Sequence, residues 1–232
     1  MAIDASLLAE SHATGRAFLR LYRFEPPCLS LGRNEPTAHY DRAAIARLGL
    51  DAVRRPTGGG AVWHEHEVTY AVAAPIATFG EGLREAYHAI HARLTTALRA
   101  LGVAATIAPD HPTGRPRDRG SPCFAAPVGG EVLVEARKVI GSAQVRHGGS
   151  FLQHGSILLA GSQEMVRLVS RERGAGSGET TLSTVLGRPV TFSEVVDAIV
   201  AAWGDDITST NLHQPPPTST TVFSDPAWTW RR

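Results

Sequence analysis

The chain is 232 residues long, 43% hydrophobic, 19% charged and 6% aromatic, with a formal net charge of +1. That length accommodates a well-buried core, the composition excludes collagenous and wholly disordered chains, and near-neutral charge offers no general case for nucleic-acid or membrane binding. The longest apolar run, Ala71–Ala77, falls far short of the roughly 18 residues of a membrane span, and Asp4 and Glu10 stand where a signal peptide would be basic and then apolar, so a soluble cytoplasmic protein is expected.

Ala17–Phe24 and Cys28–Leu31 alternate like strands, the second leading into the turn-like Gly32-Arg33-Asn34-Glu35-Pro36. Asp41 is an N-cap for a short helix through Leu48, ended by Gly49. Asp51–Arg55 reads as a strand leading into Pro56-Thr57-Gly58-Gly59-Gly60. Ala61–Ala73 then resumes a strand or hairpin pattern, with His64-Glu65-His66-Glu67 read as a half-exposed hairpin tip. Leu83, Ala86, Tyr87, Ile90, Leu94, Ala97, Leu98 and Leu101 form one apolar helical stripe, stopped by Gly102. Pro109–Pro122 is a loop of Pro, Gly, Asp and Arg, followed by three β-like segments near Glu131–Glu135, Val139–Val145 and Phe151–Leu159. Shorter helices are expected near Gln163–Arg171 and Ser193–Trp203, the latter with Ser193 as N-cap. Residues 206–232 read as an extended or mobile tail, with Trp228 and Trp230 as docking points. Such irregular mixing of strands and helices predicts an α+β fold.

Of the 23 basic residues, 22 are Arg and one, Lys138, is Lys. An ammonium is a compact point charge that the planar guanidinium cannot imitate in a tight site, although a leftover surface lysine is the bland alternative. Gly58-Gly59-Gly60 lacks Cβ atoms, so its N–H groups can approach a ligand, and Arg54-Arg55 precede it; a flexible hairpin would look the same. His64 and His66 share a strand face as a zinc pair would, but no third ligand is evident at a fixed spacing, so no metal site is expected. His88 and His91 on the long helix likewise lack a completing set. Arg137-Lys138 is followed by Gly141, Ser142 and Ala143, small residues that leave room beside the ammonium. His154, in Gln153-His154-Gly155-Ser156, is either a general base or a hydrogen-bonded structural histidine. The two cysteines differ: Cys28 sits in an apolar run, whereas Cys123 stands at a loop exit near several arginines, where a thiol can be either a nucleophile or inert.

RRPTGGGAVWHEHEVTYAV, RKVIGSAQVR and FLQHGSILL, in that order, resemble the lipoate–protein ligase and octanoyltransferase superfamily, whose catalytic domain is shared with biotin–protein ligases. The biotin branch carries a GRGRxGRxW-type loop that RRPTGGGAVWH does not match. The resemblance implies a mixed, largely antiparallel sheet flanked by helices, related to class II aminoacyl-tRNA synthetase cores, with residues 1–205 as the catalytic domain. It implies that Arg55, Thr57, Gly58, Gly59, Gly60, His64 and the segment through Tyr70 line an acyl tunnel. Gly141, Ser142 and Ala143 would pack along the acyl chain, with His154 and Gly155 nearby. Lys138 would hold the acyl carbonyl or, in a ligase, an adenylate phosphate.

Cys123-Phe124-Ala125-Ala126-Pro127 stands 15 residues before Lys138, as the nucleophile segment does in the cysteine-dependent octanoyltransferase branch. That implies transfer of octanoyl from an acyl-carrier-protein thioester, through Cys123, to a lysine of a lipoyl domain or glycine-cleavage H protein, with no cofactor required. Alternatives are an ATP- and Mg-dependent lipoate–protein ligase lacking its accessory domain, a catalytically silent acyl-carrier-binding module, and a zinc hydrolase on His64, His66 and His154. The Arg115, Arg117 and Arg119 loop is either a guide for acidic carriers or simply solvated.

Overall fold

The computed structural model describes residues 1–109, 123–124, 129–171, 178–206, 208, 223 and 225–231. The arginine-rich loop and Ala125–Pro127 therefore lie outside the described residues. In chain order come α1 (Ala2–Thr14), β1 (Phe18–Tyr22), β2 (Cys28–Leu31), α2 (Arg42–Arg47), β3 (Asp51–Arg54), β4 (Val62–His64) and β5 (Glu67–Pro75). Next are α3 (Leu83–Ala100), β6 (Thr106–Ile107), β7 (Val132–Val134), β8 (Arg137–Lys138), β9 (Ile140–His147) and β10 (Ser150–Leu158). The chain continues through α4 (Glu164–Val169), α5 (Leu182–Leu186), α6 (Phe192–Trp203) and α7 (Pro226–Thr229).

Among the described residues the strands form three sheets. The largest is antiparallel, in the order β1-β5-β10-β9. A second, β3-β2-β4, pairs β2 parallel to β3 and antiparallel to β4, and the small antiparallel sheet β6-β7-β8 carries Lys138. β5 is bonded on both edges and covered on both faces, so it reads as a nearly continuous apolar run. Side chains alternate across it: Val68, Tyr70, Val72 and Ala74 join the main core with α3 and α6, whereas Ala71 and Ala73 meet Leu7 and Leu8 of α1.

α1 was not anticipated from sequence. Its buried positions, Asp4, Leu7, Leu8 and Ser11, share one helical face, but two of them are polar, so no apolar stripe marks it. A second correction concerns the hairpin expected within Ala61–Ala73. β4 pairs with β2 while β5 pairs with β1 and β10, so the segment between them is a corner at which the chain changes sheets. Glu65 and His66 are exposed there, but His64 and Glu67 turn inward and are buried. The cap of α6 is Thr191, whose side chain accepts from the Glu194 N–H, rather than Ser193. α7 docks on β3: Trp228 Nε1 donates to Arg54 O at 2.8 Å, and Arg54 Nε donates to Thr229 O at 2.9 Å.

Lys138 is aimed by a two-residue turn. Leu133 pairs with Lys138 and Val134 with Arg137, leaving Glu135 (φ 50°) and Ala136 (φ 61°) both in the left-handed region. Neither residue suits that region, which costs a non-glycine residue roughly 1–2 kcal/mol and favours Asn-Gly in such turns. Replacing both (Glu135→Asn with Ala136→Gly) should stabilise the protein by about 1 kcal/mol, read as a higher urea midpoint at unchanged slope.

Candidate active site

A cleft opens where the edge of the large sheet meets the second sheet. Tyr22, Thr69, Gly141, Ser142, Ala143, His154, Gly155 and Ser156 of the large sheet border it, together with Val62 and His64 of the second sheet and with Met1, Arg55 and Cys123. Of the residues expected to line an acyl tunnel, Thr57, Gly58, Gly59, Gly60 and Tyr70 do not border this cleft; they stand behind the residues that do. Lys138 is also behind the wall, reaching the site through Cys123.

The Lys138 side chain is fully buried. Its Nζ donates to the Cys123 carbonyl oxygen at 2.7 Å and to the Glu131 carboxylate, lies 3.8 Å from Cys123 Sγ, and sits 5.3 Å from the centre of the Phe124 ring. A buried ammonium needs such acceptors, because removing one partner of a buried pair leaves an uncompensated charge. The same ammonium is placed to pair with negative charge on the sulfur, or on an acyl oxygen bonded next to it. Sulfur reaches this position only because Gly141 has no side chain: a Cβ there would stand 2.8 Å from the Phe124 ring and 3.0 Å from Cys123 Sγ. Cys28, by contrast, is a buried thiol pushed up to about 12 by desolvation and by the charge of Asp51.

On the α3 side of the large sheet, five side chains form a directed chain of hydrogen bonds. Gln144 donates to Gln153 Oε1 (2.8 Å), and Gln153 donates to the Tyr70 hydroxyl (2.9 Å). Tyr70 and Ser142 hydroxyls are 2.6 Å apart, and Ser142 Oγ lies 2.8 Å from His91 Nε2. His91 Nδ1 lies 2.6 Å from Gly130 O, which can only accept, so Nε2 is the acceptor nitrogen. Burial pushes the His91 imidazole down to about 4, against the opposing bond to Gly130, and keeps it neutral in that role. Gly155 gives this network room, since a Cβ there would be 2.5 Å from Gly141 O and 2.7 Å from Ser142 Oγ.

On the α1 side, His154 Nε2 lies 2.6 Å from Thr57 Oγ1 and Nδ1 lies 3.4 Å from Asp4 Oδ2. Asp4 also accepts from Arg20 Nη1 (2.7 Å) and the Tyr22 hydroxyl (2.8 Å). Burial works against its charge, but the bond to His154, then the charge of the N-terminal amine and, least, that of Arg20 outweigh it and hold the carboxyl well below its ordinary range. Desolvation lowers His154, with Asp4 opposing. At the sheet-changing corner, His64 Nδ1 lies 2.5 Å from Glu67 Oε1, and Thr69 and Ser156 hydroxyls donate to the same carboxylate. Among the described residues, no group of three or more His, Cys, Asp or Glu side chains is arranged to hold a metal ion, and no helix is long and apolar enough to cross a membrane.

Residues 1–204 match the lipoyl protein ligase A/B catalytic domain. The chain belongs to that family. Octanoyltransferase LipM of Kyrpidia tusciae is 36% identical over 222 residues, covering 88% of this chain and 81% of that protein. Octanoyltransferase LipM of Moorella thermoacetica is 42% identical over 166 residues, covering 68% of this chain but only 60% of that protein. The fold matches a lipoate-protein ligase A bound with ATP (TM-score 0.80, 18% identity, 99% of this chain and 92% of that one). It also matches LipL1 of P. falciparum in complex with lipoate (TM-score 0.74, 16% identity, 100% of this chain and 70% of that one).

Within this lipoyl protein ligase A/B domain, sequence reasoning overlooked Asp4, Tyr22, Glu67, His91, Glu131 and Gln153 as parts of the site. An available signal was polar residues inside otherwise apolar strands, such as Glu67 and Gln153, because a buried polar group requires a partner.

The buried histidines set a pH dependence of stability. His91 is lowered from 6.5 to about 4 on folding. Between those values the unfolded chain takes up a proton that the folded one refuses, so stability falls as pH drops from about 6.5 toward about 4, and His154 acts in the same direction. His91→Gln should flatten that decline by up to about 1.4 kcal/mol per pH unit, measured as unfolding free energies at about pH 7 and about pH 5.

Proposed function

We propose that this protein is an octanoyltransferase of protein lipoylation. It takes octanoyl from the thioester of an acyl carrier protein onto Cys123 and passes it to a lysine ε-amine of a lipoyl domain or glycine-cleavage H protein. The observation that carries the reading is Lys138 Nζ, buried 3.8 Å from Cys123 Sγ at a cleft walled by small residues. The names of the two LipM relatives, each more than a third identical to this chain, support the same activity.

In the first step the Cys123 sulfur, as thiolate, attacks the donor carbonyl carbon, the new C–S bond forms, and the carrier thiolate leaves. Exchange of one thioester for another is nearly isoenergetic, so no nucleotide is needed. Lys138 stabilises the oxyanion that develops beside it; in another enzyme, removing one such donor costs about 3–4 kcal/mol of transition-state stabilisation. In the second step the acceptor amine forms a C–N bond, the C–S bond to Cys123 breaks, and amide formation drives the sequence. No cofactor enters either step. A ligase that activates a free acid as its adenylate has no use for a nucleophilic sulfur at this place, so ATP dependence separates the two readings.

Incubation with octanoyl-carrier protein without ATP should add one octanoyl group to the protein, labile to hydroxylamine and absent in Cys123→Ala, by intact mass. Lys138→Arg should slow the adduct by about 10²–10³-fold, because the guanidinium is larger and differently directed. No adduct, together with ATP-dependent modification of a lipoyl domain that survives Cys123→Ala, would establish a ligase instead. Gly141→Ala should slow acylation by about 10²-fold while the protein stays folded by circular dichroism, since the new methyl displaces Cys123 and Phe124.

A further inference from the structure

We propose that His64, oriented by Glu67, is the general base that takes the proton from the acceptor lysine before it attacks the acyl group on Cys123. The proposal rests on the octanoyltransferase reading above and adds the group that its second step lacks. A lysine ε-amine is an ammonium at neutral pH and has no lone pair to attack with until a base removes a proton.

The Arg55 guanidinium, which stays protonated, and the Met1 amine also border the cleft; of the one lysine and three histidines in or behind its wall, three are occupied. The Lys138 ammonium is bound to Glu131 and to the Cys123 carbonyl. His91 spends one nitrogen on Gly130 O and the other on Ser142, on the far side of the sheet. His154 spends Nε2 on Thr57 and Nδ1 on Asp4. His64 differs: Nδ1 is held by Glu67, whereas Nε2 is buried with no hydrogen-bond partner among the described residues. The residue is 5% exposed and borders the same cleft as Cys123.

The surroundings of His64 fix both its tautomer and its plane. The Glu67 carboxylate can only accept, so Nδ1 carries the hydrogen and the Nε2 lone pair is left for a proton from the cleft. Glu67 is itself immobilised by the hydroxyls of Thr69 and Ser156. Phe24 stacks on the other face of the arrangement, with ring centres 4.2 Å apart and an interplanar angle of 25°. A base held by an orienting carboxylate is the arrangement by which imidazoles accept protons from nucleophiles on unrelated folds. Leaving a buried ring nitrogen unpaired costs stability, which is accounted for if a substrate N–H fills it.

Protons and bonds balance as follows. The ammonium gives one proton to His64 Nε2, and the free amine attacks the thioester carbon. As the C–S bond breaks, the second proton leaving the nitrogen goes to the Cys123 thiolate, and imidazolium His64 later releases its proton to water. The products are the amide, the Cys123 thiol and one proton.

The test separates the two steps in the full-length protein. His64→Asn is chosen because its amide nitrogen falls near the position of Nδ1 and can keep the bond to Glu67 while Nε2 disappears. Acyl-Cys123 is formed from octanoyl-carrier protein and then mixed rapidly with a lipoyl domain or, separately, with hydroxylamine, which is already neutral at pH 7. The expected result is a selective loss: transfer to lysine falls about 10²–10⁴-fold further than acyl-enzyme formation or discharge by hydroxylamine does. Glu67→Gln, which keeps the ring but loosens it, should slow transfer to lysine by a smaller factor with the same selectivity. Transfer to lysine at the unsubstituted rate in His64→Asn would overturn the proposal, as would equal loss of acylation, hydroxylamine discharge and lysine transfer. Failure of the unsubstituted protein to form any acyl-Cys123 would overturn the octanoyltransferase reading, and the proposal with it.

Discussion

A lysine ammonium without access to water is the constraint around which this domain is organised. Taking such a charge out of solvent is expensive unless acceptors surround it, and Lys138 finds them in Glu131 and the Cys123 carbonyl. Each acceptor must then be delivered by a different part of the chain. Glu131 enters from the start of β7, seven residues before the lysine, and a left-handed two-residue turn brings the pair face to face. Cys123 is held from the opposite side, its N–H donating to Ala61 O at 3.2 Å, and Gly141 is bare so that sulfur and ring can approach. The requirement of one charge therefore explains a strained turn, a glycine in mid-strand and the seating of the cysteine.

The large sheet does the remaining sorting by alternation alone. On β10, Gln153 faces α3 and joins the Tyr70–Ser142–His91 chain, while its neighbour His154 faces α1 and meets Asp4. On β5, Tyr70 points one way and Glu67 and Thr69 the other. Two polar networks thus occupy opposite faces of the same two strands without interfering. A shift in register by one residue would exchange them and leave each unsatisfied in an apolar core, which makes the pairing of β5 with β10 strongly specified.

Much of this was legible in the sequence, and what was missed has a common physical cause. The α+β class, the helix from Leu83, the Asp41 cap and most strands follow from periodicity and capping residues, which are local. Lys138 stood out because arginine is otherwise the only other strongly basic residue in the chain. α1 was missed because its buried face carries Asp4 and Ser11, polar residues that make sense only once His154 and Ser150 lie opposite them. The Glu65-His66 corner read as a hairpin because alternation on either side of it is the same whether two strands pair with each other or with different sheets. Partner choice is a long-range property, and nothing within the segment encodes it.

The same distinction governs the triple-glycine loop. Two arginines before three glycines invite the reading of a flexible loop with cations facing a ligand, yet both guanidiniums turn inward. Arg55 donates to the carbonyls of Ser30, Gly58 and Gly60, and Arg54 to those of Gly32 and Glu35. Glu35 accepts from the N–H groups of Gly32 and Ala61, and Thr57 reaches across to His154. Glycine is needed where chains touch: a Cβ on Gly32 would stand 1.9 Å from Gly59 O, and Gly59 itself has φ of 90°. Three successive glycines lose much conformational entropy on ordering, and these bonds offset it by binding carbonyls that a looser loop would leave to water. The loop is therefore a rigid brace between β2, β3 and β10, and its place behind the cleft follows from that role: it fixes His154 and Arg55, and those side chains form the wall.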